Sequence, residues 1–101
     1  DNATLAQWLA EVKPDDAAYA KRYLGLNDEE GYVNGIIRGG MGSVADLFVA
    51  QMQDWLALGG EARMNVPGVL GHGNWCWRME KGAATDALAG HIAAMTAMYS
   101  R

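Results

Sequence analysis

The stretch GGEARMNVPGVLGHGNWCWR, residues 59–78, interrupts a chain whose other segments mostly have helical spacing. Its first sixteen residues, 59–74, contain five glycines and one proline and show no sustained hydrophobic period. A compact domain seldom keeps so long an irregular segment without a use for it. The same stretch carries an acid, two guanidinium groups, side-chain amides and two indoles, so it is the candidate functional loop.

The segments on both sides of this loop have the pattern of short amphipathic helices. The first has apolar residues at i, i+3, i+4 and i+7 and ends at Pro14. The second has acids at its start and cations and Gly25 at its end, as helix capping favours. The predicted helices are residues 4–13, 16–24, a third that Asn27 caps and Gly39–Gly40 stop, and a last one from Asp86 to the end.

Residues 43–58 are ambiguous between helix and strand. Several apolar side chains suit a helical face, and Ser43 followed by Asp46 resembles a capping pair, which favours helix. Phe48 and Val49 favour a buried strand. Periodicity alone leaves both assignments open.

Composition limits the classes of protein to which the chain can belong. A length of 101 residues allows one domain, and no apolar run approaches the length of a membrane span. A net charge of −4 has the wrong sign for a protein that neutralises phosphates, so we expect no nucleic-acid partner. The lone Cys76 cannot form an internal disulfide and fits a reducing, cytoplasmic setting. Because the chain begins at Asp1 without a methionine, we expect a longer natural N-terminus.

The loop has the ingredients of a sugar site. Pyranose rings have apolar faces and a rim of hydroxyl groups, so they need flat aromatic surfaces together with fixed amide or carboxylate partners. The alternative is structural: Trp75 and Trp77 pack as anchors, and Glu61 and Arg63 form a pair that holds the loop.

Other chemistries find less support. His72, Cys76 and His91 are the strong metal donors, and their spacing matches no zinc motif, so we predict no metal and no cofactor. Six of the twelve acids lie at predicted helix starts, where capping explains them, and among the others we consider Asp1, Asp54 and Glu61. Their spacing places no nucleophile and acid pair on one element, so the chain does not assemble a glycosidase site by itself.

The motifs ARMNVPG at residues 62–68 and GNWCWR at residues 73–78 resemble the C-terminal signature of the 4-alpha-glucanotransferases, glycoside hydrolase family 77. Upstream, Gln53-Asp54 followed by LALG at residues 56–59 is similar to the pattern that precedes that signature. Asp1-Asn2 is similar to the end of the family's His-Asp-Asn motif. The resemblance covers essentially the whole chain.

The resemblance implies an α/β fold class, with residues 1–101 as the C-terminal part of a (β/α)₈ barrel that is predominantly helical as a fragment. Such a barrel typically needs at least about 200–250 residues, so the chain would be an incomplete domain. Strand eight would lie at about residues 47–52 within the intact enzyme. Without its ladder partners, the segment 43–57 could instead be helical.

The resemblance also implies an activity. The family transfers α-1,4-glucan segments between maltooligosaccharides with retention, using a carboxylate nucleophile, a carboxylic acid/base and a third carboxylate. The third maps onto Asp1, and the other two would lie outside this chain. Asn65 would contact the sugar at the cleavage site, whereas roles in loop support and in sugar contact stay equally open for Glu61, Arg63, Asn74 and Trp75.

The implied partners are maltooligosaccharides and the remainder of the barrel. Cys76 falls at a variable position and receives no role. The alternative reading, based on helical content and length, is an independent small helical module that binds a partner or a glucan without chemistry.

Overall fold

A computed structural model describes residues 1–71 and 73–101 of the protein. These residues contain no β-strand, and none of their helices has the length and apolarity needed to cross a bilayer. Five α-helices and one 3₁₀ helix follow in chain order: α1 Leu5–Glu11, α2 Pro14–Leu24, α3 Tyr32–Met41, α4 Met52–Trp55, the 3₁₀ helix Gly60–Ala62 and α5 Asp86–Met98.

The helices α1, α2 and α5 confirm the sequence predictions to within a few residues. The Thr4 hydroxyl accepts a hydrogen bond from the Gln7 amide at 3.2 Å and so caps α1. Pro14 is the first residue of α2, and Gly25 ends that helix with a left-handed φ of 63°. In α5, the Thr85 hydroxyl accepts from the Leu88 amide at 3.1 Å.

The predicted start and end of the third helix are wrong. Residues 28–30 form a turn, and α3 begins only after Gly31, whose φ is 87°. The Asn27 side chain does accept a hydrogen bond from the Glu30 amide at 2.8 Å, but it closes that turn and does not cap a helix. Gly39 and Gly40 lie inside α3, which continues to Met41.

Helix α3 is central because α1, α2, α4 and α5 all pack against it. Val33, Ile37 and Met41 follow one another at intervals of four residues and form the buried apolar cluster. Ile37 is fully buried. The partly buried residues that pack on this cluster come from both ends of the chain and from its middle: Leu5, Ala6, Leu9, Phe48, Ala50, Trp55, Met95 and Tyr99.

Arg38 joins α3 both to the turn before it and to the end of α2. The Arg38 guanidinium donates to the Glu30 carboxylate at 2.7 and 3.0 Å and to the Leu24 carbonyl oxygen at 2.7 Å. The hydrogen bond to Glu30 raises the pKa of the Arg38 guanidinium above its ordinary value. The carbonyl at the end of α2 thus receives a charged donor, which helix C-termini favour.

The two glycines within α3 permit close packing. A Cβ at Gly39 would lie 2.6 Å from Leu24 Cδ2, and a Cβ at Gly40 would overlap the Phe48 ring. The glycine pair that predicts a helix end in the sequence therefore forms a close-packing surface within α3.

We expect Gly40→Ala to lower the free energy of unfolding of the 101-residue chain by about 1–3 kcal/mol, because the new methyl group overpacks against Phe48. The matched control is Gly90→Ala in α5, where a Cβ meets nothing within 4 Å. That change should raise stability by about 0.5–1 kcal/mol through better helix propensity. Urea denaturation measures both, and equal effects would contradict the packing account.

The ambiguous segment 43–58 is neither a long helix nor a paired strand in this structure. The Ser43 hydroxyl donates to the Gly40 carbonyl oxygen at 2.8 Å and accepts from the Ala45 amide at 3.3 Å, so it closes a turn after α3 and caps no helix. Helix is limited to α4, and residues 47–51 form no regular element. Phe48 and Ala50 nevertheless pack against α3, whereas Leu47 and Val49 are exposed.

Candidate functional site

The structure brings Asp1 into contact with Asn65, 64 positions away in the sequence. The Asn65 Nδ2 amide donates a hydrogen bond to Asp1 Oδ1. A charged acceptor makes such a bond stronger than one between neutral groups. One carboxylate oxygen of Asp1 is thereby oriented by the loop.

Arg63 joins the same two segments through their main chains. Its guanidinium Nη2 donates to the Asp1 carbonyl oxygen at 2.5 Å, and its Nε donates to the Asn65 carbonyl oxygen at 2.9 Å. The planar guanidinium presents donors in a fixed geometry, so it sets the spacing between the two backbones. Arg63 therefore orients both Asp1 and Asn65, and the alternative of a pair with Glu61 is not observed.

Asn74 stabilises the loop from the inside. Its Oδ1 accepts from the Val66 amide at 3.0 Å, and its Nδ2 donates to the carbonyl oxygens of Val69 at 2.8 Å and Val66 at 3.3 Å. The Trp75 amide donates to the Met64 carbonyl oxygen at 2.6 Å. These bonds hold Asn74 and Trp75 against the part of the loop that contains Asn65.

Trp75 has an exposed side chain on a constrained backbone. Trp75 is 68% exposed, and its φ of 63° lies in the left-handed region. For a residue other than glycine this conformation costs on the order of 1–3 kcal/mol and persists only where the surroundings enforce it. The exposed ring offers a flat apolar surface of the kind on which a sugar can stack.

Glu61 lies in the 3₁₀ helix, and its carboxylate accepts from the Gly59 amide at 2.9 Å. This bond is local and does not join Glu61 to the contact between Asp1 and Asn65. His72, which the metal hypothesis considered, lies outside the described residues. Within residues 1–71 and 73–101, no group of three or more His, Cys, Asp and Glu side chains could hold a metal ion.

A cleft of about 490 Å³ adjoins Asp1. The residues that line it include the polar Asp1 and Asp54 and the apolar Ile36 and Phe48. Asp54 is only 4% exposed. Sequence patterns assign no role to Asp54 and its neighbour Gln53, although both stand in the pattern that precedes the ARMNVPG motif.

Comparison with known proteins agrees with these motifs. Residues 1–85 match the model of glycoside hydrolase family 77, described as 4-alpha-glucanotransferase. The chain belongs to this family. The 4-alpha-glucanotransferase of Clostridium butyricum is 40% identical over 102 residues, and that of Synechocystis sp. is 40% identical over 101 residues. Each alignment covers 100% of this chain.

A solved structure of the family has the same fold. The amylomaltase from Streptococcus agalactiae, in complex with acarbose, superposes on this chain with a TM-score of 0.93 at 30% sequence identity. The superposition covers 100% of this chain and 20% of that enzyme. The chain likewise spans about a fifth of the two curated relatives, at 21% and 20% of their lengths.

Proposed function

We propose that this chain is the C-terminal segment of the catalytic (β/α)₈ barrel of a 4-alpha-glucanotransferase. The enzyme transfers α-1,4-glucan segments between maltooligosaccharides by a retaining double displacement. The observation that carries the proposal is the hydrogen bond between Asn65 and Asp1. It places a carboxylate beside a side-chain amide, and these are the two kinds of polar group that a sugar site needs. Membership of the family supports the choice of reaction.

In this proposal Asp1 stabilises positive charge. A glycosyl transfer with retention passes through oxocarbenium-like transition states on either side of a covalent intermediate. A carboxylate aimed at the developing charge lowers the barrier when its position is fixed in advance. Asn65 and Arg63 provide that fixation through the carboxylate and the main chain of Asp1. The nucleophile and the acid/base come from the part of the enzyme outside residues 1–101.

The sugar contacts in this proposal come from the loop. Asn65 uses one amide N–H for Asp1, and its second N–H and its carbonyl oxygen can bond a glucosyl hydroxyl. The exposed Trp75 ring stacks on a pyranose face. Asn74 and Glu61 support the loop through their backbone bonds. The acarbose bound to the Streptococcus agalactiae amylomaltase supports a maltooligosaccharide-like ligand.

We further infer that residues 47–52 form strand eight when the rest of the barrel is present. The alternation supports this, since Phe48 and Ala50 face the α3 cluster while Leu47 and Val49 are exposed. Neighbouring strands would supply ladder partners and cover the exposed side chains.

A cytoplasmic location stays a prediction from the lone cysteine.

The intact enzyme should convert maltotriose into glucose and longer maltooligosaccharides, which chromatography of the products measures. The purified 101-residue chain at the same molar concentration should release no glucose above the blank, because two of the three carboxylates lie outside it. Glucose release by the chain alone would contradict this division of roles. A lack of transfer by the intact enzyme would refute the proposed function.

A further inference from the structure

The candidate site has two halves, the N-terminal segment that carries Asp1 and the loop that carries Asn65. The single-turn helix α4 contributes two buried polar side chains that contact both halves. Gln53 is 6% exposed and Asp54 is 4% exposed. A buried polar group is costly unless it is hydrogen-bonded, and a buried carboxylate more so. Both side chains find backbone partners, and the two partners belong to different halves of the site.

Asp54 holds the half that carries Asp1. Its Oδ1 accepts from the Leu5 amide at 2.7 Å. Leu5 is the first residue of α1, so its amide has no partner within the helix, and the positive end of the helix dipole favours the carboxylate. Thr4, the residue before it, is fully buried. The segment from Asp1 to Thr4 therefore starts from a fixed point, and Asp1 and Asp54 line the same cleft.

Gln53 holds the half that carries Asn65. Its Nε2 donates to the Ala62 carbonyl oxygen at 3.2 Å. Ala62 is fully buried and directly precedes Arg63, which bonds both Asp1 and Asn65. The start of the loop is thus anchored one residue before the guanidinium that orients the site.

We propose that Gln53 and Asp54 are positioning residues for the transfer reaction, which set the distance between Asp1 and the sugar. This inference rests on the proposed function. Gln53 and Asp54 are consecutive residues on one helical turn, so their hydrogen bonds fix the distance between the Leu5 amide and the Ala62 carbonyl. That distance in turn fixes the separation of the two segments that carry Asp1 and Asn65. Neither side chain touches the sugar. Small displacements of catalytic groups are enough to slow a reaction severely.

The test uses the intact enzyme with maltotriose. Asp54→Ala should lower kcat by about 10- to 100-fold while changing KM by less than about threefold, because Asp1 acts mainly in the transition state. Asp54→Asn should recover most of kcat, since the amide oxygen can still accept from the Leu5 amide. Glu29→Ala, which removes an exposed carboxylate in the turn before α3, is the matched control and should leave kcat unchanged.

A double-mutant cycle with Asp1→Asn separates positioning from general support of the fold. If Asp54 acts through Asp1, Asp54→Ala should lower kcat by less than about threefold in the Asp1→Asn background. Full additivity of the two changes, or full activity of Asp54→Ala alone, would overturn the inference. Full activity of Asp1→Asn would instead refute the proposed function.

A second variant keeps the test decisive if Asp54→Ala does not fold. Gln53→Met keeps the side-chain size and removes the donor to the Ala62 carbonyl. It should lower kcat by about tenfold, with a circular dichroism spectrum equal to that of the parent enzyme, and should show the same loss of effect in the Asp1→Asn background. An unchanged kcat in a folded Gln53→Met enzyme would overturn the inference.

Discussion

Replacing Asp1 by asparagine in the intact enzyme is expected to lower kcat for maltotriose disproportionation by about 100- to 1,000-fold. The change keeps the shape of the side chain and can keep its bond to Asn65, so the loss isolates the effect of the negative charge. Ground-state binding depends less on that charge, and KM should therefore change much less than kcat. Initial rates of glucose release over a range of maltotriose concentrations give both constants.

The control for this variant is Asp16→Asn, which removes an exposed carboxylate from the first turn of α2. It carries the same change of charge away from the site and should leave the rate within about twofold of the parent enzyme. If Asp1→Asn behaved like this control, the carboxylate of Asp1 would have no part in stabilising the transition state.

The second large effect concerns stability. Ile37→Ala should lower the free energy of unfolding of the 101-residue chain by about 2–5 kcal/mol, because the Ile37 side chain is fully buried and its truncation opens a cavity. That is a large part of the total stability of even a complete single domain. Urea denaturation followed by circular dichroism measures the change in midpoint.

Val44→Ala serves as the comparison for Ile37→Ala, since the Val44 side chain is fully exposed in the turn region after α3. Its effect should stay within about 0.5 kcal/mol. A loss of equal size at both positions would mean that the α3 cluster is not the core of the chain.

Sequence predicted those helices whose ends are decided locally. Gly25 ends α2 with a left-handed backbone, as predicted, whereas Pro14, for which the sequence predicts only the end of the first helix, is the first residue of α2. The prediction for α3 failed because tertiary contacts outweighed local signals. Glu30 bonds Arg38 rather than the first turn of a helix, and Gly39 admits the Leu24 side chain rather than ending the helix.

The candidate site was predictable only in part. Spacing could not join Asp1 to Asn65, because 64 positions separate them, and only the resemblance assigned both to one site. Gln53 and Asp54 were visible as a motif, but their partners are a backbone carbonyl and a backbone amide. Every residue has a backbone amide or carbonyl, so a sequence pattern cannot show which residue is the partner. The contacts that connect the two halves of the site are therefore visible only in the structure.

The central position of α3 has a consequence for partial unfolding. Each of α1, α2, α4 and α5 is anchored on this one helix. Local unfolding of α1, together with the segment that carries Asp1, can therefore leave the contacts of the other helices with α3 intact. Unfolding of α3 breaks the contacts of all four helices. We therefore expect the amide protons of α3 to exchange last with solvent deuterium, and those around Asp1 to exchange through a local opening of lower free energy.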